Sequence, residues 1–169
     1  MEVTELISEI QSHLDNNLDP PVLVSGSDQR PVPGVIIEDW NVDHVDRSMN
    51  RYLTSRYDDS GNETARVYRI PYECRVSFMI RDDDEVSSSR LFDALRRELL
   101  KLESHPQRLS DSISRASMDS GGGISHQFVS TTESEFTQAA TFATSIVYED
   151  SDYDTIEEFS NEVVIEEIV

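Results

Sequence analysis

Tyr72–Ile80 (Y-E-C-R-V-S-F-M-I) and Leu91–Leu102 (L-F-D-A-L-R-R-E-L-L-K-L) lie close together in the chain and have different hydrophobic periods. In the first segment every second residue is apolar or aromatic, which is the pattern of a strand with one buried face. In the second segment leucines and a phenylalanine recur at steps of three and four, which places them on one stripe of a helix. The sequence therefore predicts a long strand over 65–81 that leads directly into a helix.

Four acidic residues, Asp82–Glu85, connect this strand to this helix. Carboxylates are favourable at a helix start, where backbone N–H groups have no partner, and Ser87, Ser88 or Ser89 can supply the N-cap oxygen. The same carboxylates are a candidate site for a hard cation, but the spacing and the turn glycine of a calcium loop are missing. We interpret the segment as a solvated helix start.

The remaining segments complete an α+β pattern. Proline at 71 predicts an edge position or a bulge in the long strand. We expect a mixed or antiparallel sheet flanked by two amphipathic helices, in one domain over 1–149, followed by an acidic C-terminal extension over 150–169. The other predicted elements are a first helix at Met1–Asn16, short strands at Val22–Val24 and from Val35 to near Trp40, a weak strand at Ser110–Met118, a long strand at Phe136–Tyr148, and loops at Asn41–Gly61 and Asp119–Glu135.

Charge is the strongest compositional signal in the 169 residues. Thirty-four acids against fourteen bases give a net charge of -20, which disfavours nonspecific binding to nucleic acid. Thirteen of the bases are arginine and only Lys101 is lysine. This skew is typical of a protein from a high-salt proteome, where a Debye length of about 3 Å or less screens the self-repulsion.

Nothing in the sequence predicts a membrane or an oxidising compartment. Cys74 is the single cysteine, so no internal disulfide can form, and its place on the apolar face of the strand predicts a buried, inert thiol. No run of eighteen apolar residues and no signal-peptide pattern occurs. We expect a soluble protein.

Candidate catalytic and metal-binding residues do not form a recognisable constellation. The four histidines, His13, His44, His105 and His126, are scattered, and none has a second histidine at a ligand spacing on one helix. Cys74 has no visible base, and Gly121–Gly123 lacks the Gly-Lys-Ser/Thr end of a phosphate-binding loop. The sequence predicts neither an enzyme nor a bound cofactor or metal.

Three basic residues recur on one side of the second helix: Arg90, Arg97 and Lys101. One interpretation is pairing within the helix, because Asp93 and Arg97 lie one turn apart. The other interpretation is contact with an acidic neighbouring subunit. These three residues are the candidates for a subunit interface, and both interpretations stay open.

The order of elements resembles that of the tail terminator, or tail completion, proteins of long-tailed viruses. The resemblance covers about residues 1–149 and rests on Thr4–Leu14, Tyr68–Arg81, Leu91–Leu102 and Phe136–Tyr148. Together with the arginine-rich, acidic composition, it is closest to a neck protein of a tailed virus of haloarchaea. The segment 150–169 departs from the family pattern.

The resemblance implies a structural virion protein that is assembled in the host cytoplasm. Its copies would form a ring, usually of about six subunits, that ends the tail tube and joins it to the head connector or adaptor. Genomic DNA would pass through the lumen without specific binding, because an acidic wall repels phosphates. The loops Asn41–Asn62 and Asp119–Glu135 would contact the tube and the connector.

Two other classes of function compete with this one. One is another neck or tube component, such as a head-closure or adaptor protein or the tail tube subunit; head-closure and tube proteins are usually richer in strands and poorer in helices. A monomeric halophilic ligand-binding domain, or a small hydrolase that uses the acidic hinge, belongs to a different class. A monomeric state in molar salt would favour the ligand-binding domain, and a divalent-dependent activity lost in Asp83→Ala and Asp84→Ala would favour the hydrolase.

Overall fold

The computed structural model describes residues 1–26, 32–44, 51–119 and 134–151. In these ranges the chain forms a mixed α+β fold with two helices and an open six-stranded mixed sheet, which confirms the predicted class. The elements are α1 (Val3–Asn17), β1 (Val22–Val24), β2 (Gly34–His44), β3 (Arg51–Tyr57), β4 (Glu63–Asp82), α2 (Glu85–Ser104), a 3₁₀ turn (Pro106–Arg108), β5 (Arg115–Met118) and β6 (Ser134–Asp150).

The sheet has the strand order β1-β2-β4-β6-β5, and β3 also pairs with β4. β1 runs parallel to β2. β2 and β3 both run antiparallel to β4, and β5 runs antiparallel to β6. The long strand that the alternating sequence predicts is therefore an interior strand of the sheet.

The chain divides into two compact units, of which the first contains residues 1–45 and 72–145. Its core includes the even-numbered residues of β4 from Tyr72 to Ile80, as the alternation predicts. α1 buries one face, made by Leu6, Ile7, Ile10 and Leu14, and α2 buries Leu95, Leu99 and Leu102. β6 adds Phe136, Ala140 and Phe142.

The second unit contains residues 46–71 and 146–169, of which 51–71 and 146–151 are described. Here β3 forms a hairpin with the first part of β4. Asp58 holds the turn by accepting the backbone N–H groups of Ser60 and Asn62. The Tyr68 ring stacks on Tyr148, with centroids 5.4 Å apart, so aromatic contacts support the unit.

The prediction of a loop over Asn41–Gly61 is wrong for two segments. β2 continues to His44 by pairing with β4, and Arg51–Tyr57 is β3. The described side chains of both segments are mostly exposed, so neither has the alternating burial that marks a strand in a sequence. Backbone pairing with β4 determines these strands.

Proline 71 lies inside β4, which is neither an edge strand nor interrupted there. The described pairs of β2 with β4 end at Tyr72, and those of β3 with β4 end at Arg69. Pro71 falls outside both sets of pairs, so its missing N–H breaks neither of these ladders. β4 as a whole is thus an interior strand, not an edge strand, but Pro71 lies where neither β2 nor β3 pairs with it.

Several predictions fall on parts of the chain outside the described residues. These parts include most of the loop Asp119–Glu135 with its three glycines, and the extension beyond Ser151. The domain boundary at residue 149 stays a prediction.

Candidate subunit interface on the second helix

The acidic segment before α2 forms the helix start, as its position in the sequence indicates. The N-cap is Asp84, whose carboxylate accepts the backbone N–H of Ser87 at 2.8 Å. This hydrogen bond lowers the pKa of Asp84. The prediction of a serine N-cap is wrong. The helix begins at Glu85, so Ser87 and Ser88 already lie in its first turn.

Asp82 differs from Asp84 although it is only two residues away. It is buried, and this burial raises its pKa, with a side-chain hydrogen bond to Asp83 acting in the same direction. Within the described ranges, no three side chains of His, Cys, Asp or Glu are grouped so that they could hold a metal ion.

One face of α2 is buried and the opposite face is exposed. The buried face packs against β5, α1 and the 3₁₀ turn, which fixes the orientation of the helix within the first unit. Arg90, Arg97 and Lys101 are all exposed, as is Leu100, with 47% of its surface accessible. The structure thus places all three sequence-predicted interface residues at the surface.

On the described part of the chain, clefts adjoin α2, and two of them each contain one of the predicted arginines. The first has a volume of about 540 Å³ and is mostly apolar. It is lined by Arg90, Leu91, Ser87, Asp82, Asp19 and the prolines 20, 21 and 33. The second has a volume of about 470 Å³ and is lined by Asp93, Arg96, Arg97 and Leu100. Arg90 and Arg97 are therefore accessible to a partner in concave surfaces.

Arg96 is a member of the second cleft that the sequence reasoning missed. Its guanidinium lies 5.5 Å from the centroid of the Phe92 ring, and Phe92 contacts Phe136. The buried Nε of Arg96 has no hydrogen-bond partner. Arg96 directly precedes Arg97 in the sequence, but a stripe defined by steps of four and seven residues does not include position 96.

Arginines on the sheet and arginines on α2 differ in their partners. Of the six sheet arginines whose side chains are described, Arg69 forms no ion pair and five do: Arg56 with Glu149, Arg66 with Glu63, Arg75 with Asp119, Arg81 with Glu135, and Arg115 with Glu73. Within the described part of the chain, Arg90, Arg96 and Arg97 form no ion pair. Three positive charges on α2 therefore form no ion pair in the described chain, although Arg90 is close enough to Asp84 to help lower the pKa of that carboxyl.

Pairing within the helix does not neutralise Arg97. Its Nε donates to the backbone carbonyl of Asp93 at 3.3 Å, and no ion pair forms with the Asp93 carboxylate. Lys101 behaves differently, because its ammonium lies 2.5 Å from Oε1 of the buried Glu98. The three predicted interface residues thus separate into two unpaired arginines and one paired lysine.

His13 lies on the other side of Glu98, with its Nε2 3.7 Å from Oε2 of that carboxylate. Burial lowers the pKa of His13 and outweighs the opposing effect of Glu98, and the nearby Arg108 and Lys101 lower it further. Glu98 therefore has a cationic partner in Lys101 and a histidine whose protonation is disfavoured.

The single cysteine is buried, as predicted. Cys74 has no accessible surface, and burial raises the pKa of its thiol to about 11. A thiol with this pKa is a weak nucleophile at neutral pH. Of the four histidines, His126 and the side chain of His44 lie outside the described residues.

Comparisons with known proteins do not assign the chain to a family. No protein-family model matches it, and no curated protein matches it. In the described ranges neither helix is both long and apolar enough to cross a membrane.

Proposed function

We propose that this protein is a self-assembling structural subunit and that the exposed face of α2 is one side of its subunit interface. The observation that carries the proposal is the contrast between paired and unpaired arginines. Five of the six sheet arginines whose side chains are described form an ion pair, Arg69 being the exception, whereas none of Arg90, Arg96 and Arg97 does in the described chain. An acidic partner surface would supply the missing carboxylates.

A second copy of the chain is a partner of the right charge, because each copy has a net charge of -20. Arginine is well suited to such contacts, since its planar guanidinium binds carboxylates through two parallel hydrogen bonds and is weakly hydrated. A basic face on one copy that binds an acidic face on the next is a heterologous contact, and such contacts generate rings when the rotation closes.

The finer proposal is a tail terminator in the neck of a tailed virus, most closely one that infects haloarchaea. Its support is the order of elements, with two amphipathic helices around a sheet with a long central strand, and the arginine-rich acidic composition. The partners would be other copies, the tail tube protein and the head connector or adaptor. Genomic DNA would pass through the ring without specific contacts.

The apolar cleft beside Arg90 favours a second candidate, a monomeric ligand-binding domain. Its volume of about 540 Å³ lies within the range of small-molecule sites, and its lining is mainly apolar with a few polar groups. Native mass spectrometry of the purified protein, sprayed from molar ammonium acetate so that its charges stay screened, separates the two candidates. A monomer that retains a small molecule supports the ligand-binding domain, and a multimer of the bare chain supports the structural subunit.

The test of the interface itself is Arg97→Glu, with Arg69→Glu as the matched control. Both side chains are exposed and both changes alter the net charge equally, but Arg69 lies on β4. In sedimentation experiments in molar salt we expect Arg97→Glu to shift the protein toward monomers while its circular dichroism and melting temperature stay close to those of the wild type. Identical assembly of the two variants would refute the proposed interface.

A further inference from the structure

We infer that the acidic segment 152–169 of one copy binds the second α2 cleft, around Arg97, of a neighbouring copy. This inference rests on the proposed self-assembly and names the segment that the α2 face recognises. It follows from a charge excess and an exposed apolar side chain on the helix, together with a segment whose sequence is complementary to both.

The cleft combines positive charge with an apolar contact. Arg96 and Arg97 line it with Asp93 and Leu100, and Arg90 lies farther along the helix. Two arginines against one aspartate leave the lining with a formal charge of about +1, and Lys101 is already paired with Glu98. The exposed Leu100 would lose solvent contact on binding an apolar side chain.

Arg96 gives the cleft a feature that simple surface charge does not explain. Its Nε is buried without a hydrogen-bond partner, while the guanidinium carbon is held over the Phe92 ring. The buried Nε is out of reach of a docking peptide, but Arg96 is only half-buried, and a carboxylate at the accessible part of the guanidinium would pair a charge that forms no ion pair in the described chain. The ligand indicated by these residues is an acidic peptide that also contains apolar side chains.

The segment 152–169 has this composition. Its eighteen residues (D-Y-D-T-I-E-E-F-S-N-E-V-V-I-E-E-I-V) include seven acids and no Lys, Arg or His, with aromatic and branched aliphatic residues between the acids. α1 is also acidic on one side, but its apolar residues Leu6, Ile7, Ile10 and Leu14 are buried in its own unit. α1 therefore offers carboxylates without an apolar side chain for Leu100, whereas the segment 152–169 contains both groups in its sequence.

A contact between segment 152–169 of one copy and α2 of the next copy is compatible with a ring. It joins two different parts of the chain, so each copy offers one of each and the contact repeats around the assembly. Long-range repulsion between copies of charge -20 is screened in molar salt, whereas charges within about 3 Å of each other still interact. The contact is therefore compatible with a high-salt environment.

A photo-crosslinker tests the inference on the full chain. Benzoylphenylalanine is placed at position 100, and the protein is mixed with ¹⁵N-labelled wild-type chain in molar salt, irradiated and digested. We expect crosslinks from position 100 to peptides of 152–169 that carry the other isotope. The same residue at position 40, where Trp40 is an exposed apolar side chain of β2 beside acids, is the control and should not crosslink to that segment.

The inference would be overturned if position 100 crosslinks only to peptides outside 152–169. It would also be overturned if every crosslink joins two unlabelled peptides and none joins an unlabelled peptide to a ¹⁵N-labelled one. In the same assay Arg97→Glu is expected to lower the yield of the crosslink to 152–169 by about fivefold, and Arg69→Glu is expected to leave it unchanged. Equal yields in the two variants would show that the charges do not direct the contact.

Light scattering on the same samples separates the inference from the proposed function. A multimer whose crosslinks do not reach 152–169 contradicts the inference and leaves self-assembly standing. A monomer without crosslinks between isotopes contradicts both.

Discussion

At the scale of single residues, burial has a measurable consequence at Cys74. The folded chain raises the pKa of the thiol from 9.0 to about 11, so the folded state keeps a proton that the unfolded state loses. The contribution of the protonated thiol to the free energy of unfolding is therefore fully present below about pH 9. It is lost as the pH rises toward 11. The pKa of the neighbouring Tyr72 is raised to about 12 and acts in the same direction at higher pH.

We expect urea unfolding at several pH values to show this alkaline loss of stability. Cys74→Ala should be less stable than the wild type at pH 7 because it leaves a cavity, but its stability should depend less on pH between 9 and 10. Parallel pH profiles of the two proteins would contradict the assignment of this loss to the thiol.

A second prediction at this scale concerns the N-cap residue Asp84. Asp84→Ala removes the side chain that accepts the Ser87 N–H, so the melting temperature should fall by a few degrees. The control is Glu9→Ala, which removes an exposed carboxylate from the interior of α1 and should change the melting temperature less. Differential scanning calorimetry measures both, and a larger effect of Glu9→Ala would argue against the cap.

At the scale of elements, the two faces of α2 predict different effects for the same substitution. Leu95 is fully buried, so Leu95→Ala should cost about 2–5 kcal/mol of folding free energy. Leu100 is exposed, so Leu100→Ala should leave folding almost unchanged but weaken self-association. Chemical denaturation and sedimentation measure the two effects, and equal losses of stability would refute the division into faces.

The helices and the two long strands could be predicted from the sequence because each buries one face of a regular element. The alternation from Tyr72 to Ile80 and the leucine stripe of α2 are local signals of that burial. β3 lacks such a signal, since Tyr52, Leu53 and Tyr57 are exposed and the strand depends on pairing with β4. Contacts that are distant in sequence determine it.

The candidate site was predictable in position but not in its electrostatics. Helical spacing was enough to place Arg90 and Arg97 on one side of α2. Which arginines lack partners depends on the tertiary fold, because pairs such as Arg75 with Asp119 join residues 44 positions apart. Arg96 was missed for a related reason, since its contact with Phe92 becomes evident only when side chains are placed.

At the scale of the whole molecule, the net charge of -20 predicts a requirement for salt. Dilution from molar to millimolar salt lengthens the Debye length from about 3 Å to tens of ångströms, so the carboxylates repel one another across the chain. We expect loss of circular dichroism signal, dissociation of the assembly, or both. An unchanged spectrum and particle size across this range would contradict the prediction.

The central claim is that the protein builds a closed assembly from copies of itself. The most direct measurement is the mass of the purified wild-type protein in molar salt by multi-angle light scattering, with negative-stain images of the same sample. We predict a single species of about six subunits whose images show a ring with an open centre. A monomer at every protein concentration, with no ring in the images, would contradict the claim.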